Sequence, residues 1–213
     1  MLCISTNNIG FEELKSLVSK HNFLEIRLDL CSISDIQTKE LFSINQNLIA
    51  TFRGNSGDIS KREQSLTSAI ESGAKYIDLD ISTDLEILNK LKKIIKKNNT
   101  KLILSYHSYN KVKTKQELQD IIAKISSHKP NIIKIASFCK STEDVINLLE
   151  LYKNKTDIPL IALPMGDGTE FARILTLQLG SPFIYCSANS GQATTKGQLD
   201  YQSTKTILDI KKK

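Results

Sequence analysis

Long apolar runs are missing from this chain, and a cytoplasmic location is the expectation. Leu2 enters a strand-like segment without a basic region followed by a long apolar run, so neither a secretory leader nor a transmembrane helix is read. Cysteine is scarce, with four in 213 residues, and Cys3, Cys31, Cys139 and Cys186 show no CxxC spacing. Each falls in or beside an apolar segment, which fits reduced core thiols, sets aside a disulfide framework and implies no metal site. A glycine-rich phosphate loop is missing after the first strand, where Ser5-Thr6-Asn7-Asn8-Ile9-Gly10 stands instead. No linker, low-complexity tract or composition break interrupts the chain, so residues 1–213 are expected to form one domain.

The formal charge of +6 raises the question of polyanion binding. Lys90, Lys92, Lys93, Lys96 and Lys97 are spread over helical faces without interleaved aromatics, and Lys211, Lys212 and Lys213 supply half of the excess. A basic balance of this kind predicts only nonspecific attraction, so neither nucleic acid nor membrane is expected as a partner. An anionic small molecule suits a positive interior better.

Apolar runs place eight strands at about 2–6, 23–30, 47–53, 75–81, 101–107, 131–137, 158–164 and 182–187. Between them lie helical spacings such as Phe11, Leu14, Leu17, Val18 and Leu85, Leu88, Leu91, Ile94, Ile95. Thr83-Asp84 and Ser141-Thr142-Glu143-Asp144 read as helix starts, and Thr114 stands at capping-box spacing from Glu117. Eight β-then-α units most simply form a single-domain (β/α)8 TIM barrel, with a doubly wound open sheet as the alternative.

In an all-parallel sheet covered by helices, strict alternation has a different meaning than in a sheet with one wet face. The run Leu24-Glu25-Ile26-Arg27-Leu28-Asp29-Leu30 then sends its apolar residues to the helices and Glu25, Arg27 and Asp29 to the interior. The same parity groups Thr51 with Arg53, Asp78 with Asp80, and Ser105 with His107. These groups gather towards the strands' C-terminal ends, where barrel enzymes do their chemistry. A structural ion-pair network among Glu25, Arg27, Asp29 and Arg53 would give the same pattern.

Lys134 stands in Ile132-Ile133-Lys134-Ile135-Ala136, where an ammonium is out of place. A buried lysine tends to lose its proton, and a neutral amine is a nucleophile. Alternatively, Lys134 snorkels from an edge strand. His107 ends the run Leu102-Ile103-Leu104-Ser105-Tyr106, which puts an imidazole at a strand end beside such a nucleophile. His21 and His128, in polar helix-terminal contexts, read as structural.

These pieces together resemble the type I 3-dehydroquinate dehydratases. The likeness runs through Glu25-Ile26-Arg27-Leu28-Asp29, Thr51-Phe52-Arg53, Ile77-Asp78-Leu79-Asp80, Ser105-Tyr106-His107, Lys134-Ile135-Ala136, Met165-Gly166 followed by Arg173, and Gly197-Gln198. The resemblance implies dehydration of 3-dehydroquinate to 3-dehydroshikimate in the shikimate pathway, through a Schiff base on Lys134 with His107 as acid and base, and without a cofactor. It makes Arg173 the group that holds the substrate carboxylate, assigns ring hydroxyls to Glu25, Arg27 and Arg53, and gives Ser5, Thr194 and Gln198 hydrogen bonds to the substrate. Asp58 or Asp78 would supply the carboxylate that supports His107. Ser108 replaces an Asp or Asn usual in the family, and Lys196 a proline.

The loop from Ala188 to Gly197 is expected to act as a lid. The resemblance also implies a homodimer, and Lys211-Lys212-Lys213 marks either a native tail or the point where a longer fused polypeptide was cut. The rivals are a Schiff-base aldolase acting on a sugar phosphate, with Gly166-Asp167-Gly168 as its phosphate loop, and a noncatalytic anion-binding barrel.

Overall fold

The computed structural model describes residues 1–53, 59–83, 85–153 and 156–210. Among these, eight strands alternate with eight α-helices: β1 (Leu2–Ser5), α1 (Phe11–Lys20), β2 (Leu24–Arg27), α2 (Asp35–Ile44), β3 (Leu48–Thr51), α3 (Ile59–Glu71), β4 (Tyr76–Asp80), α4 (Leu85–Asn98), β5 (Lys101–Ser108), α5 (Lys115–Ser127), β6 (Ile132–Phe138), α6 (Thr142–Leu149), β7 (Leu160–Met165), α7 (Glu170–Gln178), β8 (Ile184–Ser187) and α8 (Tyr201–Ile210). The strands belong to one parallel sheet, so the (β/α)8 architecture read from the sequence is the one adopted.

Packing divides the chain into two compact units. In the unit Ile4–Ile103, β1 to β4 pair in chain order, and one layer of the register aligns Arg27 with Thr51 and Thr51 with Asp78. Helix α4 shows why its segment is helical and on which side it lies. Ile87, Leu88, Leu91 and Ile95 recur at helical spacing and are buried, while Lys93, Lys96 and Lys97 face water.

In the unit formed by Met1–Cys3 and Leu104–Lys213, β6 and β7 pair from Ile133 opposite Leu160 to Phe138 opposite Met165. Ile184 donates its amide to the Met1 carbonyl at 3.2 Å, joining β8 to the start of β1. Thr114 with Glu117 and Ser141 with Asp144 form the anticipated capping boxes, and Ser34 with Gln37 forms a third on α2. Asp84, the other anticipated cap, lies outside the described residues. His21 and His128 occupy C-cap positions of α1 and α5, in keeping with their structural reading.

Strands β2 and β3 stop two or three residues earlier than the apolar pattern indicates. The expected 23–30 strand ends at Arg27 because that residue's carbonyl accepts from Leu30 at 2.9 Å and Cys31 at 3.0 Å, which curls the chain into a turn. Asp29 therefore sits on the turn rather than on the strand face. The expected 47–53 strand ends at Thr51, which leaves Arg53 just beyond it. Helix breakers and alternation locate strands, but a carbonyl that turns back on its own chain is decided by local backbone geometry.

Candidate active site

In the unit Ile4–Ile103, three successive strands converge on one carboxylate. Glu25 of β2 is buried and accepts from the Ser5 hydroxyl on β1 and, at 2.8 Å, from the Thr51 hydroxyl on β3. Next to this group, Arg27 makes a two-pronged pair with Asp29, at 3.0 and 2.7 Å. Arg53 reaches back from beyond β3 to Asp78 at 2.5 Å and lies 3.8 Å from Asp80.

Asp78 is fully enclosed, at 0% exposure. Burial works against the charge on Arg53, but the carboxylates of Asp78 and Glu25 outweigh it and hold the guanidinium above its ordinary value. The charges grouped by parity are paired as Arg27 with Asp29, which stands on the turn after β2, and Arg53 with Asp78. Glu25 takes neutral hydroxyls as donors.

In the other unit, Lys134 projects from β6 and is only 4% exposed. An edge-strand lysine that snorkels to water would not be so enclosed, so that alternative falls. Its Nζ lies 3.9 Å from the centroid of the Tyr185 ring on β8. His107 is the penultimate residue of β5, half-buried, with its ring stacked on Tyr109 at 6.1 Å and 19°. Strand β5 is the hydrogen-bonded neighbour of β6, so the amine and the imidazole come from adjacent strands. Ser108 turns its hydroxyl to the Lys111 carbonyl at 2.6 Å, tying down its own loop.

Arg173 lies on α7, 2% exposed, and donates to the carbonyls of Pro164 on β7 at 3.2 Å and Tyr185 on β8 at 3.3 Å. Among the described residues no carboxylate lies within ion-pair distance of it. Burial drives Arg173 down to about 10, against weaker support from Cys186 and Glu170. A buried cation held only by neutral carbonyls is a ready receptor for an anion.

Gln198 offers a second open valence. Its Oε1 accepts from the Thr194 amide at 2.7 Å and the Thr194 hydroxyl at 3.0 Å. Its buried Nε2 has no acceptor among the described residues. A buried amide donor without a partner carries a desolvation cost that a ligand oxygen would remove.

The loops after β7 and β8 are clasped together. Gly166 donates its amide to the Lys196 carbonyl at 3.1 Å, and the Lys196 ammonium meets Asp167 at 3.0 Å. Gly197 has φ +77°, and a Cβ there would fall onto the Thr169 hydroxyl and the Gly166 carbonyl. Only glycine permits both the left-handed backbone and this approach. Asp167 thus lends a carboxylate to the loop where a sugar-phosphate enzyme would need donors.

Of the residues singled out from sequence, Lys134, His107, Arg173, Thr194 and Gln198 fall in one unit. Ser5, Glu25, Arg27, Arg53 and Asp78 fall in the other. Asp58 lies outside the described residues. Tyr185 was not anticipated; the only signal for it was a tyrosine amid the apolar run Phe183-Ile184-Tyr185-Cys186.

The family model described as type I 3-dehydroquinase matches residues 1–213. The chain is 32% identical to the 3-dehydroquinate dehydratase of Methanococcus vannielii, with 99% of each chain covered. It is 31% identical to that of Methanococcus maripaludis, covering 92% of this chain and 91% of the other. Among solved structures it is similar to the type I 3-dehydroquinate dehydratase of Clostridium difficile with covalently modified comenic acid, with a TM-score of 0.85, 20% identity, and 98% and 91% of the two chains covered. The Aquifex aeolicus 3-dehydroquinate dehydratase gives a TM-score of 0.79 at 25% identity, with 100% and 97% covered.

Proposed function

Because the chain belongs to the type I 3-dehydroquinase family, we propose how its own residues carry out that reaction. The protein is a hydro-lyase of the shikimate pathway, removing water from 3-dehydroquinate. Lys134 attacks the C3 ketone, and loss of water from the adduct leaves a protonated imine. That imine is an electron sink, so the C2 proton becomes easier to remove, and His107 takes it. The enamine then expels the C1 hydroxyl, which leaves as water with the proton that His107 returns. Hydrolysis of the product imine regenerates Lys134 and releases 3-dehydroshikimate.

The observation that carries this assignment is the enclosed amine: Lys134 is 4% exposed and on the strand next to the one that bears His107. Burial of a lysine costs free energy, and the dry setting is the one that a nucleophile of this kind needs. Arg173 holds the substrate carboxylate, since it is a buried fork of donors without an anion. Gln198 gives its open Nε2 to a substrate oxygen, with Thr194 fixing its orientation and adding a hydrogen bond of its own.

Ser5, Glu25, Arg27 and Arg53 are assigned to the substrate ring on their match to the family's motifs. Glu25 already accepts two hydroxyls, the donor type that the ring presents. Asp78 is retained as a supporting carboxylate, and its ion pair supports a part in holding Arg53. The clasped loop Ala188–Gly197 serves as the lid.

Borohydride trapping tests the chemistry. Intact-protein mass spectrometry after mixing with 3-dehydroquinate and borohydride should show a stable adduct on the wild type and none on Lys134→Ala. A folded wild type with no adduct and no dehydroshikimate absorbance would remove Lys134 from the mechanism.

No helix among the described residues is long and apolar enough to cross a membrane. A cytoplasmic homodimer is the assembly proposed. Ile146, Leu149, Leu175 and Leu179 line an apolar surface groove that a second copy would cover, and light scattering reads the mass directly.

A further inference from the structure

We propose that Tyr185 is a positioning residue for the imine, its ring face holding the nitrogen of Lys134 and stabilising the positive charge that this nitrogen carries once the imine has formed. The inference rests on the Schiff-base reading and extends it to a residue outside the family motifs found in the sequence.

The contact is unlike the other lysine-to-ring contacts among the described residues. Lys15 over Phe11 and Lys101 over Tyr76 lie 5.8 and 6.0 Å from their ring centroids, at the outer limit for attraction by a ring face. Lys134 over Tyr185 lies at 3.9 Å, with Lys134 and Tyr185 both 4% exposed. A cation against an aromatic face gains most when both are out of water. Imine formation turns Nζ into an iminium nitrogen without moving it off its tether, so the ring stays face-on to the atom where cationic charge develops. Interactions that strengthen as charge develops lower barriers, whereas those equal in both states do not.

Three contacts hold the ring in place. Its strand is anchored in the sheet, its carbonyl accepts from Arg173 at 3.3 Å, and Phe183 packs against it edge to face at 5.4 Å and 67°. Tyr185 therefore touches both groups assigned to the substrate's reacting end and its carboxylate. Its ring meets the nucleophile, and its backbone meets the carboxylate receptor. Both placements come from one residue of β8.

The test varies the ring without changing the fold. Tyr185→Phe keeps the ring face and should retain kcat within about threefold. Tyr185→Leu removes it and should lower kcat and the rate of borohydride trapping by about 10- to 30-fold, with KM changed less. Should the leucine variant fail to fold, as judged by circular dichroism, phenylalanine carrying one, two and three fluorines at position 185 replaces it. Fluorination withdraws the ring's negative face at nearly constant shape, so log kcat should fall stepwise along the series. A flat fluorine series, or a folded leucine variant with wild-type kcat, overturns the proposal. If wild type itself gives no borohydride adduct, the Schiff-base reading has failed instead, so the two failures are distinguishable.

Discussion

Replacing Arg173 by methionine separates a carboxylate receptor from a bolt between strands. The guanidinium is 2% exposed and makes hydrogen bonds of 3.2 and 3.3 Å to two backbone carbonyls. Hydrogen bonds to a charged donor contribute about 1.5–3 kcal/mol each, and these are long, so losing both costs about 3 kcal/mol. Against that, methionine removes a buried cation whose desolvation costs several kcal/mol. The two nearly cancel. The net should stay within about 2 kcal/mol, a melting shift of no more than about 4–8 °C for a chain of this length.

Function should behave differently. Truncating one side of a buried, hydrogen-bonded charge pair costs about 2–5 kcal/mol, so kcat/KM should fall by about 30- to 5,000-fold. The assay is dehydroshikimate absorbance with 3-dehydroquinate and with its neutral carboxamide, in wild type and Arg173→Met. The amide should be a poor substrate for wild type, and the mutation should cost it little more, closing a cycle that isolates the carboxylate-to-arginine term. A loss under about fivefold with 3-dehydroquinate, or an equal penalty on acid and amide, would refute the assignment. Arg173 would then be a structural bolt between β7 and β8.

Three further outcomes follow from named groups. Glu117 is drawn down to about 2 by the Thr114 amide first, then the Thr114 hydroxyl and Lys113. Its folded value lies below its unfolded one, so its contribution is whole above about pH 4.5 and is lost as the pH falls towards 2. Glu117→Gln should flatten the melting temperature's fall across that window, and an unchanged acid limb would contradict this. Gly197→Ala must place a Cβ on Thr169 and Gly166 from a left-handed backbone. A cost of about 1–3 kcal/mol with a raised KM is expected from melting and steady-state rates, and wild-type values in both would be incompatible with the clasp. Burial pushes the Cys139 thiol up to about 11 and that of Cys186 up to about 12, and Cys3 and Cys31 are buried too. Ellman's reagent should therefore modify none of the four until the protein is unfolded; rapid labelling of the native state would show that the core opens.

Much of this protein was legible from one-dimensional pattern. Eight apolar runs separated by helical spacings and caps determine a (β/α)8 chain, because the periods of 2 and 3.6 are local properties of backbone geometry. Lys134 announced itself as a charge in a strand that should be dry, and parity alone moved Glu25 and Arg27 indoors.

Tertiary structure decided what no spacing encodes. It curled Asp29 onto a turn, where it grips Arg27, and paired Arg53 with Asp78 from 25 residues away. It left Arg173 with carbonyl partners and the Gln198 Nε2 without an acceptor among the described residues. It also laid the Tyr185 ring over a lysine 51 positions earlier in the chain, a contact between residues of two different strands. Local sequence selects the elements because their hydrogen bonds close within a few residues. The partners of a buried charge are selected by long-range packing, where desolvation makes every unmatched group costly and each contact depends on all the others being made.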